Sequence, residues 1–272
     1  MLKDVTFGQY FPGDSVVHKM DPRMKLVLII VYIVMLFVAD GIIPLLLGVA
    51  VTVFAYAMSK LSFKLVWRSV KPILPIVVFT AILNIFFIEG DPLFQWKFIT
   101  ISERGVVTAV LMCVRIISLI AGSSLLTYTT TPIALTDGLE RLMKPLEKIK
   151  VPVHELSMMM TIALRFIPTL IDETGKIIAA QKARGADMDS GNAIQKAKAL
   201  VPILIPLFVS AFRRADELAL AMECRCYRGG EGRTRLKQLS LSGRDWAAAA
   251  FMTAALAGVI LLNKFGPAVM VL

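Results

Sequence analysis

The sequence predicts an all-α, polytopic membrane protein with about five transmembrane helices and a cytoplasmic insertion of long helices. Three observations predict it. Hydrophobic residues make up 57% of the 272 residues and charged residues only 18%, below the roughly 25% usual in soluble domains, and the mean hydropathy is +0.71. Apolar runs recur along the chain. The net charge of +10 is gathered into a few stretches instead of being spread evenly.

The apolar runs are Leu26–Ala39, Ile42–Met58, Pro72–Ile88, Val106–Tyr128 and Trp246–Leu262. A span needs about 20 residues, within a range of roughly 17–25, and four of the five qualify. Leu26–Ala39 is short; it extends back through Met24 or pairs with Ile42–Met58 as a re-entrant hairpin across the turn Asp40-Gly41 and Pro44. Either choice returns the chain to the side from which it started. No apolar h-region of a cleavable signal peptide is expected in the first 25 residues, which mix acids, bases and prolines.

Lysines and arginines of short loops mark the cytoplasmic side. Residues 59–71 carry Lys60, Lys64, Arg68 and Lys71 with no acid, and the arm before the first run ends in Lys19, Arg23 and Lys25. Residues 89–104, read as a loop, hold Lys97 and Arg104 against Glu89, Asp91 and Glu103, and the tail has only Lys264. The N-terminus is therefore expected inside and the C-terminus outside. Residues 1–128 form an N-terminal membrane region, residues 129–245 a cytoplasmic domain, and residues 246–272 a last transmembrane helix. The central domain carries 18 Lys/Arg against 13 Asp/Glu, and it is too long for a structureless loop.

Within that domain, a short helix is expected from Thr131-Pro132 to Lys148–Lys150. A long helix follows from about Val153 to Gly185 and another from about Asn192 to Tyr227, separated by the turn-rich Gly185–Gly191 linker. Pro168, Pro202 and Pro206 are expected to kink them. Two apolar segments inside these helices are poor spans. Ala199–Phe212 is short, holds two prolines and is bounded by Lys198 and Arg213-Arg214, while Leu156–Ile171 carries Arg165 at its middle, a costly place for a charge. They are read as helices at the membrane face or against another membrane protein.

The two long helices end alike. The first closes with Ala183-Arg184-Gly185 and the second with Cys224-Arg225-Cys226, each an arginine between small residues in the last turn. Small neighbours leave the guanidinium free to enter a partner's groove, where its planar fork binds carboxylates and carbonyls in fixed geometry. The same residues also fit ordinary helix capping, with a cation at the negative end of the dipole and glycine after it. Two copies on helices of nearly equal length favour a paired docking device.

These two motifs, with Ala163-Leu164-Arg165-Phe166-Ile167-Pro168 before the first and Arg213–Glu223 before the second, resemble the transmembrane T component (EcfT) of energy-coupling factor (ECF) transporters, a type of ATP-binding-cassette transporter. The likeness covers most of the chain. Cysteine on both sides of Arg225 departs from the family's usual Ala-Arg-Gly and puts the backbone freedom of glycine in question there. The resemblance implies a non-catalytic subunit of an ATP-driven vitamin, micronutrient or metal-ion importer in the cell membrane. Its implied partners are two ATPase subunits, one on each arginine motif, and a membrane S component that binds substrate. ATP and magnesium belong to the ATPases, so this chain is expected to hold no cofactor. An apolar surface of Met158, Met159, Met160, Phe166, Leu204, Leu207 and Phe208 suits S components, since methionine adapts to varied partners, although the same residues could simply pack helix on helix.

Other signals point elsewhere. Arg115 lies inside a predicted span, where it is expected to pair with Asn84 or a backbone carbonyl. Ala250, Ala254 and Gly258 form a small-residue ridge suited to internal packing. Gly229–Thr234 lacks the spacing and lysine of a phosphate-binding loop. The run Arg225–Lys237 suits anionic lipid or an ATPase surface, and nucleic acid is not an expected partner. The competing reading is an integral membrane enzyme acting on lipid or phosphate substrates, for which only His154-Glu155 and Asp172-Glu173 offer local acid–base groups. No metal site is expected from Cys113, Cys224 and Cys226.

Overall fold

Asp21-Pro22 starts the first helix as the sequence allows. Proline at the first helical position loses no hydrogen bond, and the Asp21 carboxylate accepts from the Arg23 backbone N–H at 2.9 Å. Helix α1 runs Pro22–Val38 and α2 runs Ile42–Ser59. Gly41, at φ +106°, makes the turn between them. Helix α3 (Phe63–Val70) continues through a single 3-10 turn at Lys71–Ile73 into α4 (Leu74–Phe87). A short antiparallel hairpin follows, β1 (Pro92–Trp96) against β2 (Ile99–Ser102), paired Gln95 to Thr100 and Trp96 to Ile99. Sequence reading had a plain loop here; the β-branched Ile99-Thr100-Ile101 favours extended backbone. The remaining helices are α5 (Glu103–Thr129), α6 (Pro132–Met143), α7 (Val153–Ala183), α8 (Ala193–Cys224) and α9 (Gly243–Phe265).

The computed structural model describes residues 10–88, 92–96, 99–186, 192–229 and 239–265. They form two compact units, one of residues 10–141 with 239–265, the other of residues 142–229. The linker at 187–191 and most of the glycine-rich and basic run (230–238) lie outside the described residues.

In the first unit α5 is the hub, packing on α1, α2, α3 and α4, while α9 packs on α1 and α2. Among the described residues four stretches are long and apolar enough to cross a membrane: Ile42–Ser59, Lys64–Phe87, Glu103–Thr129 and Gly243–Lys264. Helix α1, at 17 residues, stands at the lower limit for a span. The protein is thus an all-α polytopic membrane protein. Its outer faces carry bare apolar side chains, with Ile76, Phe79 and Phe87 of α4 all more than 60% exposed. Lipid tails are as apolar as these residues, so nothing drives them inward.

Inside, a buried cluster around Met35, Leu36, Leu45 and Val259 is joined by polar bonds. The Tyr32 hydroxyl donates to the Ser118 carbonyl and shares a short bond with Thr52, and Tyr56 donates to the Ala121 carbonyl at 2.8 Å. Tyr128 bonds Ser69. Gly122 must be glycine, because a Cβ there would lie 2.3 Å from the Tyr32 ring. Arg115 donates to the Ala39 carbonyl, so of the two partners open to it the carbonyl is taken; Asn84 bonds the Thr80 carbonyl of its own helix. The small-residue ridge of α9 mostly does not face inward. Ala250 and Ala254 are exposed, and Met252, Ala255, Leu256 and Val259 supply the packing.

One clamp escaped sequence reading. Asp245, only 1% exposed, accepts from the Ser242 backbone N–H at 2.8 Å and from the Asp21 backbone N–H at 2.9 Å. Asp21 in turn binds Arg23, whose guanidinium also donates to the Leu239 carbonyl at 3.0 Å. The first turns of α1 and α9, more than 200 residues apart in sequence, are tied together.

Candidate functional site

Helices α7 and α8 form the second unit and run antiparallel. The Tyr227 hydroxyl donates to Met158 Sδ at 3.1 Å near one end, and Gln181 Nε2 donates to the Pro202 carbonyl at 3.2 Å near the other. Midway, Glu173 accepts from the Ser210 hydroxyl and pairs with Arg214 at 3.2 Å. Helix α8 starts on a capping box, with Asn192 and Gln195 each satisfying the other's backbone N–H. Both helices pass their prolines without a break in helical assignment.

The register puts the two arginine motifs at opposite ends of the pair. Tyr227 sits beside Met158, so Arg225 lies level with about residue 160 of α7. From there to Arg184 is about 24 residues, or roughly 35 Å at 1.5 Å per residue.

The two ends share one backbone design. At the first, the Gly185 N–H bonds the Lys182 carbonyl and the Ala186 N–H bonds the Gln181 carbonyl. At the second, the Cys226 N–H bonds the Glu223 carbonyl and the Tyr227 N–H bonds the Met222 carbonyl. Both are Schellman motifs with the arginine as the C-cap residue. The following residue takes a left-handed conformation in each, Gly185 at φ +85° and Cys226 at φ +53°. Cysteine therefore adopts the conformation that glycine favours, at a cost of about 1–2 kcal/mol. We expect Cys226→Gly to raise the protection of the Tyr227 amide in hydrogen exchange by roughly fivefold or more, since about 1 kcal/mol is regained; unchanged protection would show an unstrained turn.

Every residue of the two motifs is exposed: Ala183, Arg184, Gly185, Cys224, Arg225 and Cys226. Neither guanidinium has a hydrogen bond or ion pair among the described residues. A Cβ on Gly185 would meet nothing within 4 Å. The caps hold the backbone, and the arginine tips remain available.

The apolar surface is divided. Met159, Leu204 and Phe208 are exposed, whereas Met158, Met160, Phe166 and Leu207 are half-buried, and Met158 is engaged by Tyr227. The broadest exposed strip runs along α8 through Val201, Leu204, Ile205, Phe208, Val209 and Phe212. Val201, Val209 and Phe212 were not singled out from sequence, although their three- and four-residue spacing carries the signal.

The Ser210 hydrogen bond is the largest influence on the Glu173 carboxyl; burial opposes it, and the Arg214 charge adds to it, so the group is held below the usual carboxylate range. A lowered folded pKa means that this contribution is complete above the unfolded value of about 4.3 and fades as pH falls through the folded one. Spin labels at Asp172 and Ala215 should keep one separation from pH 8 to about 5 and spread only below about 4. Glu173→Gln should remove that acid dependence; spreading near neutral pH would contradict the assignment.

Comparison with known proteins agrees with this architecture. The family model "CbiQ: Cobalt transport protein" matches residues 13–236. A Clostridium kluyveri protein is 58% identical over 250 residues, covering 91% of this chain and 93% of its own. A protein of Acidaminococcus fermentans is 50% identical over 267 residues, 97% of this chain and 96% of its own. One from Bacillus subtilis is 46% identical over 246 residues, 90% and 93%. All three are energy-coupling factor transporter transmembrane proteins, EcfT. On a family match across most of its length and on relatives this similar, the chain belongs to the CbiQ/EcfT family of membrane components of energy-coupling factor transporters.

Proposed function

We propose that this chain is the non-catalytic coupling subunit of an importer, docking two ATP-binding-cassette ATPases and relaying their movement to a substrate-binding S component. One observation carries the proposal. Two exposed arginines sit on matching helix ends, roughly 35 Å apart by the helix rise, too far for one groove and suited to one ATPase each. Arg184 and Arg225 enter grooves lined by carboxylates or carbonyls, because an unpaired buried guanidinium costs several kcal/mol. ATP and magnesium act on the ATPases; this chain needs no cofactor.

The basic loops favour a topology with the N-terminus, α7 and α8 on the cytoplasmic side and the C-terminus outside. Residues 129–245 serve as the coupling domain between the membrane region 1–128 and the last helix. The apolar strip around Met159, Leu204 and Phe208 receives the S component, which selects the vitamin, micronutrient or metal ion. Photo-crosslinkers at Met159 and Phe208 are expected to capture a second membrane protein; products confined to this chain would assign the strip to internal packing. Purification from the native membrane should bring down two ATPases in equal amounts, and their absence would sink the proposal.

A further inference from the structure

A cavity of about 420 Å³ opens among α1, α2, α5 and α9, within the ~300–1,000 Å³ range of ligand sites. Its depth can be read from α9. Its α9 lining runs from Arg244 to Met252, about eight residues, or roughly 12 Å. One leaflet of the hydrocarbon core is roughly 15 Å deep, so the cavity has the length of a leaflet.

The lining is apolar over nearly all of its surface, and no acid is part of it. The few polar groups in the floor are already satisfied. Tyr32 and Thr52 share one proton between their hydroxyls, and the other goes to a backbone carbonyl, Ser118 from Tyr32 or Gly48 from Thr52. The Lys25 ammonium donates to the carbonyls of Thr129 and His18 and to the Thr130 hydroxyl. Arg244 differs. It is exposed at the charged end, and its guanidinium has no partner among the described residues. Small side chains keep the space open, with Ala55 on one wall and Ala247 and Ala248 on the other.

We propose that this groove holds one acyl chain of an anionic phospholipid, with its phosphate against Arg244. An empty apolar groove forfeits the dispersion contacts of its lining, and an extended tail restores them without asking for hydrogen bonds. Charge selects the head group, because the exposed Arg244 stands at that end, the Lys25 donors are spent on carbonyls and a hydroxyl, and no carboxylate is among the lining residues. Neither the length match nor the charge depends on which leaflet is involved, and neither depends on the coupling role of α7 and α8.

The test is native mass spectrometry of the full chain released from nanodiscs of equal phosphatidylglycerol and phosphatidylcholine with identical tails. The wild type should retain one phosphatidylglycerol about fivefold over phosphatidylcholine, the effect of one basic residue near an anionic surface. Arg244→Gln should bring that ratio to about one while the number of retained lipids holds. Ala248→Phe and Ala55→Leu fill the groove from opposite walls, and whichever is folded by circular dichroism should lose the lipid. Equal retention of both lipids by the wild type, a ratio unmoved by Arg244→Gln, or full retention in a folded filled variant would each overturn the proposal. ATPase recovery with Arg244→Gln should match the wild type, so loss of the lipid preference is read separately from the coupling role.

Discussion

Arg184→Glu and Arg225→Glu should each release the chain from one ATPase. A desolvated charge pair that loses one member costs about 2–5 kcal/mol, and reversal adds repulsion, so retention should drop by at least roughly 30-fold and up to about 4,000-fold at 1.4 kcal/mol per decade. Substrate uptake should fall with it. Stability should not move, because both arginines are exposed and unpaired among the described residues. Arg184→Lys and Arg225→Lys should be intermediate, since lysine keeps the charge and loses the planar fork. The measurement is quantitative pull-down of each ATPase beside thermal unfolding of the isolated chain. With the motifs at opposite ends of the helix pair, crosslinks from the intact end should survive in each single variant. Full uptake by both glutamate variants would refute the docking role.

Asp245→Ala should produce the largest loss of stability. Its carboxylate is the acceptor for two backbone N–H groups, those of Ser242 and Asp21. Alanine leaves the buried Asp21 N–H unanswered at about 1–3 kcal/mol and the partly buried Ser242 N–H at less, for a total of roughly 2–5 kcal/mol. The first turns of α1 and α9 should separate, seen as new proteolysis near Leu239 and a lower melting temperature in detergent. Asp245→Asn keeps one carbonyl acceptor and should recover part of the loss. A melting temperature equal to wild type for Asp245→Ala would show that the clamp carries no load.

These two predictions rest on residues of different visibility. The arginine motifs were legible because a cation between small residues recurs at the close of two long helices. Helix boundaries were legible too: proline at the start of α6 and glycine after α7 punctuate the chain wherever they stand. The Asp245 clamp offered half a signal. Ser242 and Asp245 have the spacing of a helix start, but nothing local says that the same carboxylate also receives the Asp21 amide from the far end of the chain. The hairpin at residues 92–102 was hidden by the charges that flank it, Glu89, Asp91, Glu103 and Arg104.

By itself the sequence determined the membrane class, the order of the apolar runs and of the two long helices, and the two arginines that end the long ones; α3 lies where the sequence reads as a basic loop. Those properties follow from composition and from periodicities that act within a few turns. Only the tertiary structure decided that the motifs lie at opposite ends of an antiparallel pair, that Cys226 adopts glycine's conformation, and that Asp245 joins α1 to α9. Each depends on which surfaces meet, and such meetings are settled by packing and hydrogen bonds between residues far apart in the chain.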